Sequence, residues 1–319
     1  MDRESRYLGH YLRSKNATDQ ASFTDSERSQ GLGSPAPAAS ALAPYADDLE
    51  RIHDMTNTID VAFCQDLLTQ VGIQLVEASK QAKQHQSWKE KRQYFLEANT
   101  RAEAQVRSAL FQKYPAIRWS ETEFELEKQR SDEFEEPSWM CDPIDGAVNF
   151  LQGLPFWSMS LCLLHQGQPQ WALVYDPCQR EFFTATRGDG AFLNGEPMSV
   201  SQTQNLADAL IAASQPTFVM KEMEDTQRTT RAIAQLMPKV GALRTLGGVS
   251  LQLAYIACGR CDGYWEFGKD LYDWLAGSLL IQEAHGVVTN IAGGDLTWGA
   301  TGIIAANSVL HQQLKAEIP

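Results

Sequence analysis

Two aspartates three residues apart, Asp142 and Asp145, are the strongest sign of chemistry in the sequence. They lie in the segment Asp-Pro-Ile-Asp-Gly, where Pro143 restricts the backbone and Gly146 permits a tight turn. Both carboxylates and the intervening carbonyl of Ile144 can point toward one location. Carboxylate and carbonyl oxygens are the ligands that Mg²⁺ prefers. On its own, however, such a segment is more typical of a solvated surface turn.

Two further acidic residues stand near the ends of predicted elements. Glu121 follows an apolar strand end, and Asp273 stands at the predicted start of a helix, where the helix dipole attracts a carboxylate. Together with Asp142 and Asp145 they predict a site for two cations. A two-metal site polarises a phosphoryl group, activates a water molecule and stabilises the leaving oxygen. The residue types therefore indicate metal-assisted phosphoryl chemistry.

Alternating helices and strands over residues 47–319 would have to position these side chains. Hydrophobic periodicity predicts a long first helix around residues 64–78, and the capping-box pattern of residues 100–103 predicts the start of a second helix. A short buried strand, residues 139–141, leads into the acidic pair. The runs WSMSLCLLH and QWALVYD flank the turn QGQP and predict a β-hairpin.

The second half of the chain also alternates. A helical run covers residues 250–259, a strand-like run covers 262–267, and a helix runs from Asp273 to about residue 284. Two short buried strands and a closing helix follow. Helices and strands that alternate in layers are typical of the α/β class.

The composition argues against a nucleic-acid interface and against a structural zinc site. The 319 residues carry a formal net charge of −13, which opposes binding to a nucleic-acid backbone. An anionic substrate would be repelled equally unless a bound cation or a helix N-terminus reverses the local field. Cys258 and Cys261 have the spacing of half a zinc site, but nothing completes it, so we interpret them as packing residues.

No membrane span or signal peptide is predicted, because no apolar run approaches the roughly 20 residues that cross a bilayer. A cytoplasmic protein is therefore expected. Residues 1–46 are rich in Ser, Pro, Ala and Gly toward their end and predict a linker-like extension. Within it, four apolar residues could form one stripe on a short helix: Tyr7, Leu8, Tyr11 and Leu12.

Two long segments resemble the signatures of the inositol monophosphatase family. The run WMCDPIDGAVNFLQGLPFWSMSLCLL is similar to its first signature, D-P-x-D-G-T-x-N-F. The run YWEFGKDLYDWLAGSLLIQEAHGVV is similar to its second, W-D-x-A-A-G followed by E-A-G-G. The resemblance extends in order over roughly residues 50 to 319. It implies an α-β-α-β-α layered fold, Mg²⁺ dependence, a small phosphorylated substrate and usually a homodimer. The net charge and the hydropathy, separately, predict that neither nucleic acid nor a membrane is a partner.

The resemblance assigns a role to each matching residue. A first metal site corresponds to Glu121, Asp142 and the carbonyl of Ile144, and a second to Asp142, Asp145 and Asp273. Catalysis would rest on Glu121, Asp142 and Asp145.

Other matching residues correspond to substrate contacts. Gly146 and Ala147 match backbone donors that hold the phosphate group. Gly248, Val249 and Glu266 match positions that line a sugar or polyol pocket. For Glu266 the other interpretation is a surface charge on an edge strand.

The sequence departs from the family pattern at several positions. Ala147 replaces a Thr whose hydroxyl helps to position the attacking water, and Asn99 replaces an Asp that orders water around a third, weak metal. Tyr272, Leu275 and His285 replace Trp, Ala and Gly in the second signature. Loss of a general-base partner typically costs on the order of 10² to 10⁴ in rate.

The sequence therefore predicts a Mg²⁺-dependent phosphomonoesterase for a small polyol or sugar phosphate. Thr122 or Glu123 could replace the lost hydroxyl. Two alternatives remain open: a metal-binding pseudoenzyme that acts as a regulatory subunit, and a repurposed enzyme that performs a non-hydrolytic reaction on a phosphorylated intermediate. All four carboxylate ligands are present, which favours retained metal binding.

Overall fold

The computed structural model describes residues 55–56, 58–120, 135–217, 219 and 221–319. The predicted extension, residues 1–46, lies outside them, and so do Glu121, Thr122 and Glu123. Among the described helices, none is long and apolar enough to cross a membrane.

Two long antiparallel helices begin the described chain. Helix α1 (Val61–Ala82) starts at Asp60, whose side chain accepts a hydrogen bond from the backbone N–H of Phe63. Helix α2 (Trp88–Lys113) starts at Ser87, which forms a reciprocal capping box with Glu90. The prediction that the second helix begins at residues 100–103 was wrong, because α2 is continuous through that segment. The first helix was predicted correctly.

A seven-stranded sheet lies beneath these helices, with its strands in chain order. Only the first pair is parallel. The predicted hairpin is formed by the third and fourth strands, whose turn contains Gln166 and Gly167 at φ 50° and 69°. The strands are β1 (Arg118–Trp119), β2 (Ser138–Asp145), β3 (Ser158–His165), β4 (Gln168–Asp176), β5 (Glu181–Thr186), β6 (Gly190–Leu193) and β7 (Glu196–Pro197).

A five-stranded sheet forms from the second half, in the order β11-β12-β10-β8-β9. Its strands are β8 (Leu210–Ala213), β9 (Ala242–Arg244), β10 (Gly263–Phe267), β11 (Val287–Asn290) and β12 (Gly302–Ala306). The remaining helices are α3 (Ala147–Gln152), α4 (Met223–Leu236), α5 (Val249–Ala257), α6 (Leu271–Glu283) and α7 (Ser308–Glu317).

Three hydrophobic cores join these elements into five layers. The first core lies between the α1–α2 pair and one face of the large sheet. The second holds α5 and α6 between the two sheets, and the third joins the outer face of the small sheet to α4 and α7. The order of layers is α-β-α-β-α, which confirms the predicted fold. The middle layer is important for function because α5 and α6 begin beside the end of β2.

Candidate metal centre

Strand β2 carries two of the predicted ligands, Asp142 and Asp145, at its carboxyl end. Residues three apart on a regular strand point to opposite faces. Here the pairing of β2 with β3 shifts register between Asp142 and Asp145, and such an irregularity can turn both side chains to one side. The backbone N–H of Ile144 donates to Asp142 Oδ1 at 3.0 Å. The segment is thus a buried strand end and not a surface turn.

Helix α6 brings the third carboxylate to the same place. Asp273 lies in its first turn, and one oxygen each from Asp142, Asp145 and Asp273 lie within 4.8 Å of one another. All three side chains are at most 5% exposed. Buried carboxylates at this separation repel one another unless protons or a cation compensate their charge. An all-oxygen donor set of this kind fits a hard divalent cation such as Mg²⁺.

The amino-terminal end of α5 holds the carboxylate of Asp145. The backbone N–H of Val249 donates to Oδ1 at 3.0 Å, and that of Ser250 donates to Oδ2 at 2.6 Å. Despite these bonds, burial raises the pKa of Asp145 to about 6, because removal from water disfavours the charged form. A cation at the triad would act in the opposite direction and favour the ionised carboxylate.

Two glycines allow these backbone segments to approach closely. A Cβ on Gly248, which precedes α5, would lie 2.8 Å from the backbone oxygen of Asp145. Gly146 has φ 102°, a left-handed conformation that favours glycine, and it links β2 directly to α3. The predicted substrate-contact residues Gly146, Gly248 and Val249 therefore adjoin Asp145.

Two of the departures from the family pattern, Ala147 and Asn99, lie on separate helices. Ala147 is the first residue of α3 and is half-buried. Asn99 is 5% exposed on α2, and its Oδ1 has no hydrogen-bond partner among the described residues. Trp119 Nε1, at the end of β1, donates to Glu103, which lies one helical turn after Asn99 on α2.

Glu266 lies on β10, the central strand of the small sheet, and is 3% exposed. Its Oε2 accepts hydrogen bonds from the Tyr264 hydroxyl and from Trp274 Nε1, both at 2.8 Å. Burial raises the pKa of Glu266 to about 8, more than these two bonds lower it. The alternative of a surface charge on an edge strand is wrong.

Three substitutions in the second signature occupy different environments. Tyr272 is buried, with its hydroxyl 3.5 Å from the backbone oxygen of Ser120, and Leu275 packs in the core between the sheets. His285 is exposed just beyond α6 at φ 67°, a conformation that glycine adopts with less strain. None of the three removes a carboxylate.

Sequence reasoning missed Ser250. Its hydroxyl donates to the main-chain oxygen of Asp273 at 3.1 Å, while its N–H donates to Asp145. A small polar residue two positions after a pair of glycines, at a helix start, was the available signal. Its link to Asp273 could not be predicted without the fold.

Comparison with known proteins agrees with this architecture. The family model described as the inositol monophosphatase family matches residues 55–319. Nus factor SuhB of Pseudomonas aeruginosa is 34% identical over 232 residues, which are 72% of this chain and 84% of that protein. Inositol-1-monophosphatase of Rhizobium meliloti is 34% identical over 225 residues, which are 70% of this chain and 82% of that protein.

Solved structures show the same fold. The extragenic suppressor protein suhB of Bartonella henselae superposes with a TM-score of 0.68 at 28% identity, over 81% of this chain and 97% of that one. The inositol monophosphatase of Anabaena gives 0.65 at 27% identity, over 80% and 95%. The chain therefore belongs to the inositol monophosphatase family.

Proposed function

We propose that the chain is a Mg²⁺-dependent phosphomonoester hydrolase that acts on a small polyol or sugar phosphate. The observation that carries this proposal is the convergence of Asp142, Asp145 and Asp273, with carboxylate oxygens within 4.8 Å, in a member of this family. The negative net charge of the chain would repel a phosphate group unless a bound cation or a helix N-terminus reverses the local field.

The triad would hold the cations, with Glu121 and the carbonyl of Ile144 completing the set that the family pattern implies. When bound, Mg²⁺ polarises the phosphoryl group, lowers the pKa of water and stabilises the leaving oxygen. Asp145 is already fixed for this task, because α5 holds both of its oxygens. We assign Glu121 the role of accepting the proton of the attacking water.

The phosphate group would lie at the junction of β2 and α3. The first N–H groups of a helix have no partner inside it, so those of Gly146 and Ala147 are available to an anion. Both residues follow Asp145 directly, which places these donors beside the cation ligands. The methyl group of Ala147 cannot orient water as a hydroxyl would, so we expect slower hydrolysis than a Thr at this position would give.

The polyol would lie toward the small sheet. Gly248 and Val249 adjoin Asp145. Glu266 lies on β10 of the small sheet, and its Oε2 accepts hydrogen bonds from Tyr264 and Trp274. Its second oxygen, Oε1, can bond to a substrate hydroxyl. A carboxyl group held in this way favours a hydroxyl-bearing substrate over an apolar one.

The test combines metal binding with phosphate release. Mg²⁺ should raise the melting temperature of the parent protein, since a ligand of the native state stabilises it. Asp142→Asn should abolish most of that rise, because the triad loses one charged ligand. Asp66→Asn, on the exposed face of α1, is the matched control and should keep it.

Phosphate release is then measured on sugar, inositol and nucleotide phosphates with and without Mg²⁺. We expect release from a polyol or sugar phosphate that requires Mg²⁺ and is lost in Asp142→Asn. An unchanged Mg²⁺ shift in that variant would contradict the assigned site. Absence of release from every compound would contradict the hydrolase while leaving metal binding intact.

A second candidate is a metal-binding protein that no longer hydrolyses phosphate and acts through a partner. Ala147 is the observation that favours it, since this position lacks the hydroxyl that the family pattern supplies. Several relatives are named Nus factor SuhB and others inositol-1-monophosphatase, so both kinds of name occur among proteins similar to this chain. Our expectations of a homodimer and of no nucleic-acid partner stay predictions.

A further inference from the structure

Ser250 connects two of the three triad aspartates. Its backbone N–H donates to Asp145 Oδ2 at 2.6 Å, and its hydroxyl donates to the main-chain oxygen of Asp273 at 3.1 Å. The side chain is completely buried, at 0% exposure. Water therefore does not compete for either hydrogen bond.

The two aspartates come from different parts of the fold. Asp145 ends a strand of the large sheet and lies 105 positions from Ser250, whereas Asp273 lies in the first turn of α6, 23 positions away. Nothing in local chain geometry fixes their separation. Ser250, in the first turn of α5, bonds to both segments and thereby restrains the distance between them.

The contact between α5 and α6 supports this restraint. Gly277 of α6 lies so close to Leu253 of α5 that an added Cβ would stand 2.4 Å from Leu253 Cβ. This close approach allows the hydroxyl of Ser250 to reach the backbone of Asp273. A carbonyl oxygen has two lone pairs, so it can accept this bond and an intrahelical one together.

We propose that Ser250 is a positioning residue that sets the spacing of the Asp145 and Asp273 carboxylates and thereby strengthens cation binding. The inference rests on the proposed function, because it concerns the same triad. Groups that orient metal ligands without touching the metal typically contribute 10- to 100-fold in affinity or activity. The hydroxyl of Ser250 restrains the backbone and not the carboxylate itself, so about tenfold is expected.

The test is Mg²⁺ titration by calorimetry on the full-length protein after treatment with EDTA. Ser250→Ala removes the bond to Asp273 but keeps the N–H bond to Asp145, and should weaken Mg²⁺ binding by roughly tenfold. Ser250→Cys fills similar space with a poor donor, and should weaken binding to the same extent even if the alanine variant is unstable.

Ser278→Ala is the matched control. The Ser278 hydroxyl also donates to a backbone oxygen, that of Leu275 at 2.8 Å, and its side chain is 3% exposed on the same helix as Asp273. It does not bond to either aspartate. We therefore expect Ser278→Ala to keep the Mg²⁺ affinity of the parent, even if both variants melt at a lower temperature without metal.

The outcomes separate the two proposals. Parent-like Mg²⁺ affinity in both Ser250→Ala and Ser250→Cys would overturn the role of Ser250 alone. An equal loss in Ser278→Ala would also overturn it, since general loosening of α6 would then explain the effect. A parent protein that binds no Mg²⁺ would overturn the proposed function together with this inference.

Discussion

At the scale of single residues, Ala147 is the departure from the family pattern that bears most directly on the proposed hydrolysis. It opens α3 directly beside the aspartates of β2, where the family pattern has Thr. Its side chain is half-buried, so a slightly larger residue has access to solvent on one side. Replacing Ala147 alters no carboxylate ligand. A substitution at this position therefore tests the positioning of water without changing the residues proposed to bind the metal.

Ala147→Thr should increase Mg²⁺-dependent phosphate release by roughly tenfold or more, because a hydroxyl at this position can orient the attacking water. Mg²⁺ affinity should hardly change. The measurement is steady-state release from sugar and inositol phosphates by both proteins, with Val148→Thr, at the exposed neighbouring position, as control. High activity in the parent with no gain in Ala147→Thr would indicate that another group already supplies the hydroxyl.

A second prediction at this scale concerns the protonation of Glu266. Its pKa is raised from 4.5 to about 8 in the folded protein, so the native state keeps a proton that the unfolded chain releases. The free energy of unfolding should therefore fall as pH rises from about 5 to about 8. Glu266→Gln should reduce this dependence, since an amide does not titrate.

The measurement is the melting temperature across that pH range, in EDTA and at constant ionic strength. The control is Glu224→Gln, an exposed residue of α4, which should retain the slope of the parent. A slope that is the same in the parent and in Glu266→Gln would show that the carboxyl titrates at its ordinary value. Asp145, whose pKa is raised to about 6, should maintain a smaller slope in both proteins.

At the scale of helices and strands, sequence patterns predicted most elements but not their exact limits. Ser87 and Thr100 each begin a segment that matches the capping-box pattern, and only Ser87 caps α2. The run from Trp88 to Lys113 contains no Gly or Pro, so nothing interrupts the helix once it begins. The capping-box pattern alone did not fix where α2 begins. The uninterrupted run of helix-forming residues after Ser87 did.

The aspartates of the site are brought together by long-range contacts, which local sequence patterns do not reveal. The register shift between Asp142 and Asp145 arises from pairing with β3, and the bonds from α5 to Asp145 join residues more than a hundred positions apart. The family resemblance supplied these residues as candidates. Only the packed layers show that Glu266 is buried and that Ser250 links two aspartates.

At the scale of the whole molecule, the three cores are built from residues in the part of the chain that the structure describes, which begins at residue 55. The core between the α1–α2 pair and the large sheet begins with Ile59, and the family match begins at residue 55. We therefore propose that residues 1–46 are an extension that the catalytic fold does not require.

Deletion of residues 1–46 should leave the melting temperature, the Mg²⁺ shift and the oligomeric state unchanged, because the family match, residues 55–319, lies entirely outside the deleted segment. Thermal denaturation and light scattering on the truncated and full-length proteins measure these properties. The full-length control replaces the four stripe residues Tyr7, Leu8, Tyr11 and Leu12 with Ser, which keeps the length and removes the apolar surface.

A lower melting temperature or a smaller particle in both variants would show that this stripe packs on the body or on a second subunit. A change in the truncated protein alone would instead assign a role to the rest of the segment, since the serine variant keeps everything but the stripe.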